Sequence, residues 1–173
     1  MSQFVLEDHE ASIDNLNLRI QRHGEDRVLA ADIKFQITTS NDILDQFGPD
    51  LKKDLFRKPG KGEQQTLEGI GAGLTAVKHP ELTLKGLAHE FSGYELEVGG
   101  LLGESEPIVL VDSKVKRFTI DPKEGGSVVL GFTVSAEVES EDVADLSDAF
   151  IRGTVRVSLS PGKASGEAEP TVE

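Results

Sequence analysis

The amino-acid sequence predicts a mainly β fold of the α+β class: an antiparallel β-sandwich or strongly curved sheet with two short helices. Three observations carry this. Apolar residues recur at every second position in several stretches, as in half-buried strands. Glycine-containing turns join these stretches at hairpin spacing. The 173-residue chain has no tryptophan, one tyrosine (Tyr94) and eight phenylalanines, so Phe and the branched aliphatics must carry the core.

Taken in order, Met1 to about Ser12 reads as a short polar lead. Leu16, Leu18 and Ile20 alternate with Asn17 and Arg19, which predicts a strand. His23-Gly24-Glu25-Asp26 supplies a turn, and Val28, Ala31, Ile33, Phe35 and Ile37 form the returning strand of a hairpin. Ser40-Asn41-Asp42 offers an N-cap to a helix bearing Ile43, Leu44 and Phe47. Gly48-Pro49 interrupts it, and a further turn resumes with Leu51, Leu55 and Phe56. Pro59 to Gly73 holds five glycines in fifteen residues and reads as a mobile loop. Leu82 and Leu84 predict a short strand. Tyr94, Leu96 and Val98 predict another, closed by Gly99-Gly100, and Ile108 to Val111 a short buried one. The clearest hairpin runs from Val115, Phe118 and Ile120 through Asp121-Pro122-Lys123-Glu124-Gly125-Gly126 to Val128, Leu130, Phe132, Val134 and Ala136. Ser140 then caps a helix with Val143, Leu146, Ala149 and Phe150 on one face, and Val155, Val157 and Leu159 alternate in a last strand. The expected organisation is one β-rich domain over 1–160 and a disordered acidic tail over 161–173, too polar to bury itself.

Two blocks, 13–58 and 110–160, share an alternating strand, a glycine turn, a strand centred on Phe (Phe35 and Phe132) and a helix opening Asp42-Ile43-Leu44-Asp45 or Asp142-Val143-Ala144-Asp145. They read either as an internal duplication of a hairpin–helix unit or as two unrelated units of β-rich sequence. A duplication would put a pseudo-twofold between the hairpins.

Composition narrows the function classes. There is no cysteine, which excludes disulfides, thiolate zinc sites, iron–sulfur clusters and thiol nucleophiles. No apolar run approaches the roughly 18 residues of a membrane span, and the start lacks a basic, apolar leader pattern, so a cytoplasmic location is expected. The net charge of −13, from 31 acidic and 18 basic residues, disfavours nonspecific binding to nucleic acid or anionic membrane.

The four histidines, His9, His23, His79 and His89, lack the His-x-x-x-His or His-Glu-x-x-His spacing of a metal site. Gly60-Lys61-Gly62 and Gly69-Ile70-Gly71-Ala72-Gly73 contain fragments of phosphate-loop sequence, but neither a Walker A motif nor a strand–glycine–helix context. The carboxylates from Glu137 to Asp148 lack EF-hand spacing and its glycine. Gly-x-Ser-x-Gly does not occur. No metal, cofactor or catalytic residue is therefore expected, and the protein is read as non-enzymatic.

One feature stands against the acidic background. Lys52, Lys53, Arg57, Lys58 and Lys61 cluster beside Phe56, and Lys114, Lys116 and Arg117 beside Phe118. Together they would make a basic groove with aromatic contacts suited to a single strand of DNA; apart, they are surface charges offsetting the negative field.

His79-Pro80-Glu81-Leu82, Phe91-Ser92-Gly93-Tyr94, Val111-Asp112-Ser113-Lys114-Val115, Asp121-Pro122-Lys123-Glu124-Gly125-Gly126 and Gly131-Phe132-Thr133-Val134 carry a likeness in the second half of the chain. In these the chain resembles small uncharacterised proteins encoded in tailed bacteriophages and prophages. The resemblance implies an accessory role beside DNA replication or recombination genes, and no catalytic motif comes with it. The expected function is a non-enzymatic accessory protein acting through protein–protein contacts. The alternatives are a single-stranded DNA-binding protein and a structural virion component.

Overall fold

The computed structural model describes residues 3–60, 73–100 and 106–162. Its elements are β1 (Leu6–His23), β2 (Asp26–Ser40), a 3-10 helix (Asn41–Gln46), α1 (Leu51–Leu55), β3 (Phe56–Arg57), β4 (Ala76–Val77), β5 (Phe91–Gly99), β6 (Ile108–Lys123), β7 (Ser127–Glu137), α2 (Ser140–Arg152) and β8 (Thr154–Pro161). The fold is mainly β, as the alternation predicts. The expected sandwich or open curved sheet is corrected: six strands close into an antiparallel barrel in the order β1-β2-β7-β6-β5-β8.

Closure depends on β1 changing partners along its length. Its first part pairs with β8 from Leu6↔Leu159 to Ser12↔Thr154. The rest pairs with β2 from Ser12↔Gln36 to His23↔Asp26. The supposed polar lead is thus a strand, with Phe4 and Leu6 buried. The Phe4 backbone N–H donates to the Tyr94 hydroxyl at 3.2 Å, and its ring meets Phe132 edge-on at 5.5 Å.

Bulges explain why the pattern concealed this strand. An extra residue in one strand swaps the faces of everything beyond it. In β1 the register shifts between Leu6 and His9 and again between Ile13 and Asn15. Inward positions therefore pass from Leu6 to Ala11 and Ile13, then to Leu16 and Ile33 opposite it. In β6 the buried residues are Ile108 and Leu110, then Ser113 and Val115, then Phe118 and Ile120. Asp112 and Arg117 sit at the two phase changes with φ of 53° and 59°. The expected separate strands at Ile108–Val111 and Val115–Ile120 are one long bent strand, and Val109 and Val111 are exposed.

By contact the described residues form two compact units, each built from separated segments: those within 3–36, 90–116 and 132–162 in one, and those within 37–89 and 117–131 in the other. In the first, Phe35 packs on Phe132 at 5.6 Å, and Leu146 and Ala149 of α2 are buried. The helix begins after Glu139 rather than at a Ser140 cap: the Glu139 N–H donates to Asp142 Oδ2 at 2.9 Å.

In the second unit Ser40 caps the 3-10 helix by accepting from the Asp42 N–H at 3.2 Å. Phe47 packs edge-on against Phe118 at 5.0 Å. The β6–β7 turn is anchored: the Gly125 N–H donates to Thr75 O at 3.0 Å, the Asn41 N–H to Gly126 O at 2.9 Å, and the Val77 N–H to the Glu124 carboxylate at 3.3 Å. The expected strand at Leu82–Leu84 reduces to a single bridge between Leu84 and Ile120, and Leu82 is exposed.

The two hairpins share one sheet. The order β1-β2-β7-β6 is the one a twofold exchange through β2 and β7 would produce. The segments after them differ, a six-residue 3-10 helix against a thirteen-residue α-helix.

Candidate protein-interaction surface

The basic cluster does not have the composition of a stacking groove. Phe56 and Phe118 are fully buried core residues, so neither presents a face to a base, which corrects their expected role as aromatic contacts. Buried Phe56 opens β3, and Phe118 lies inward of the second β6 bulge. Lys52 is tied to Asp42 and its side chain is only 13% exposed. Lys114 pairs with Glu90 at 3.1 Å. Lys53, Arg57 and Lys58 are exposed, and the Arg57 guanidinium donates to Lys58 O at 3.2 Å. Arg117 is exposed and Lys116 half-buried. Lys52, Lys53, Arg57, Lys58 and Arg117 fall in the second unit, Lys114 and Lys116 in the first. Lys61, most of the glycine-rich loop and the tail from residue 163 lie outside the described residues.

Two of the histidines make local contacts. His89 donates from Nε2 to Phe47 O at 3.0 Å and meets the Phe47 ring edge-on at 5.2 Å. His23 lies 2.8 Å from Glu137. Among the described residues no group of three or more His, Asp or Glu is placed to hold a metal ion. Within the first unit a cleft of about 350 Å³ lies between α2 and the ends of β5 and β6. Glu106, Asp145, Asp148 and Arg152 supply its charges. Among the described residues no helix is long and apolar enough to cross a membrane.

The distinctive surface is the outer half of β1. Strand β8 leaves β1 at Ser12, where Thr154 is its last partner, and the Ile13 N–H then donates to Gly153 O at 3.0 Å. From Asn15 to His23 β1 pairs with β2 on one side, and among the described residues no strand pairs with the other. Over this stretch β1 has a hydrogen-bonded strand on one side alone, and α2 also packs on β1. Leu18 and Ile20 share the face that carries buried Ile33, yet they are 42% and 50% exposed.

The opposite face of the same stretch is held rigid by polar contacts. Arg19 donates to both Asp32 oxygens, at 2.9 and 3.2 Å, and to Gln21 Oε1 at 3.0 Å. The Ser135 hydroxyl donates to Asp32 Oδ1 at 2.5 Å. Burial works to raise the Asp32 pKa, but hydrogen bonds from Arg19 and Ser135 and the Arg19 charge outweigh it and leave the carboxyl below its ordinary value. The bond to Asp32 raises the Arg19 pKa in turn. A fork-to-carboxylate pair of this kind fixes geometry as well as charge.

Sequence reasoning placed Leu18 and Ile20 on a strand and missed their exposure. Local alternation is the same whether an apolar face meets a core or projects past the last paired neighbour. The residue at which β8 lets go of β1 has no local signal.

In comparison with known proteins, the chain matches no family model, no curated protein and no solved structure.

Proposed function

We propose that this protein is a non-enzymatic accessory binding protein that acts through protein–protein contacts, with the outer half of β1 as its contact surface. One observation carries the reading: the outer half of β1, paired with a strand on one side alone, bears the exposed side chains of Leu18 and Ile20. Unpaired backbone groups along such an edge give a docking strand its affinity, and alternate side chains give it specificity. Phe4, Phe35 and Phe132 pack together within the first unit, which supports a role for the outside of the barrel rather than its inside. The resemblance to tailed-phage proteins supports an accessory setting.

The test is a fluorescence polarisation panel of extended peptides with alternating apolar positions, titrated against the wild type and Ile20→Lys. Binding weakened at least about tenfold by that change is expected, since it puts a charge into the contact. Binding indifferent to Ile20→Lys would reject the surface. Single-stranded DNA remains the second reading on the exposed Lys53, Arg57 and Lys58. It gains the lead if labelled oligothymidine binds, is released by salt and is lost on Arg57→Glu.

A further inference from the structure

We propose, resting on that reading, that the strand which docks on β1 is the same strand of a second copy of this chain, paired antiparallel about Leu18. A twofold-related antiparallel pair preserves the two faces of each strand, so side chains on one face must suit each other across the axis. With Leu18 on the axis, Leu18 meets Leu18 of the second copy and Leu16 meets its Ile20. On the opposite face Asn17 meets Arg19 and Asn15 meets Gln21. At either end of the stretch exposed Asp14, the extra residue of the β1 bulge, comes near exposed Arg22 of the second copy. Every apolar residue in the stretch finds an apolar partner, and the one carboxylate finds a cation.

The alternative centres fit less well. Pairing about Arg19 sets that cation against itself and puts Leu16 opposite Arg22. Pairing about Ile20 puts Leu18 opposite Arg22. The stretch from Asp14 to Arg22 carries one acid and two arginines in a chain of net charge −13, so its local charge adds nothing to the general repulsion between two copies. A single strand pair buries less than the roughly 1,200 Å² of a standard interface, so the dimer is expected to be weak and to dissociate on dilution.

The absence of cysteine makes the geometry directly testable. Opposed Cα atoms in an antiparallel pair lie about 4.5–5.5 Å apart, within the roughly 4.4–6.8 Å that a disulfide spans. Leu18→Cys should therefore oxidise to a covalent dimer, and Val111→Cys, on a similarly exposed position of β6, should not. Sedimentation equilibrium should show a dimer for the wild type that Ile20→Lys weakens at least about tenfold. Asp14→Arg and Arg22→Asp should each weaken it, and the double variant should recover most of the loss. Unchanged circular dichroism would separate these effects from misfolding. A wild type that stays monomeric at every concentration overturns the self-pairing, as does a dimer indifferent to Ile20→Lys with no cross-link at position 18. Peptide binding lost with Ile20→Lys would then still uphold strand addition with another partner.

Discussion

Gly162 and Asp32 show how single atoms constrain the chain. The Gly162 N–H donates to Gly93 O at 2.7 Å, and a Cβ on Gly162 would lie 2.8 Å from that same oxygen. Both sides of the clash are backbone, so no side chain can swing away. Gly162→Ala is expected to cost about 1–3 kcal/mol, read as a fall in Tm of several degrees, and Gly100→Ala, which meets nothing within 4 Å, should be neutral. Equal Tm values for the two would reject the contact. Asp32 gives a pH signature. Its folded pKa lies below the unfolded value of about 3.9, so the stability it contributes is complete above that pH and is lost as pH falls through the lowered pKa. In urea titrations the gap between wild type and Asp32→Asn should be constant near neutrality and close in acid. A gap that persists unchanged at about pH 2 would show that packing rather than charge sets it.

At the level of elements, alternation exposed β2 and β7 because neither changes phase where the pattern is strongest: Ile33, Phe35 and Ile37, and Leu130, Phe132 and Val134, are all buried. It failed on β1 and β6, where bulges carry the apolar residues from one parity to the other. Asp8 and Asp112 tolerate their left-handed backbone as aspartates can, but Arg117 holds φ of 59° without the short polar side chain that bonds locally in that conformation. Arg117→Gly removes that strain and adds backbone freedom to the unfolded chain. The first effect is about 1–2 kcal/mol and the second up to about 1 kcal/mol, so the Tm should rise slightly or hold. A fall of several degrees would mean that the side chain does structural work at the bulge. The same bend that hid β6 from periodicity is what lets one strand follow a tightly curved wall. The basic cluster was legible as charge but not as a site, because Phe56 and Phe118 reach the core through strand phases that local sequence does not reveal.

For the whole molecule, charge separates the proposals by sign. Nothing local reveals that the first and last strands of the described chain pair and close the barrel, but the net charge of −13 is plain in the composition. Two copies approaching along β1 each carry that charge, and the repulsion acts over the Debye length, about 30 Å at 0.01 M salt and about 10 Å at 0.1 M. Raising the salt across that range should therefore tighten the self-association. The Asp14–Arg22 pairs oppose this trend, but they are few and short-ranged against a field from the whole chain. Binding of single-stranded DNA through Lys53, Arg57 and Lys58 has the opposite sign, because released counterions make it weaker as salt rises. Sedimentation equilibrium and oligothymidine anisotropy over one salt series thus read the same variable in opposite directions. A dimer that tightens with salt, while oligothymidine stays unbound throughout, follows from the β1 edge. A dimer that loosens with salt would place the attraction on charged groups and away from Leu16, Leu18 and Ile20.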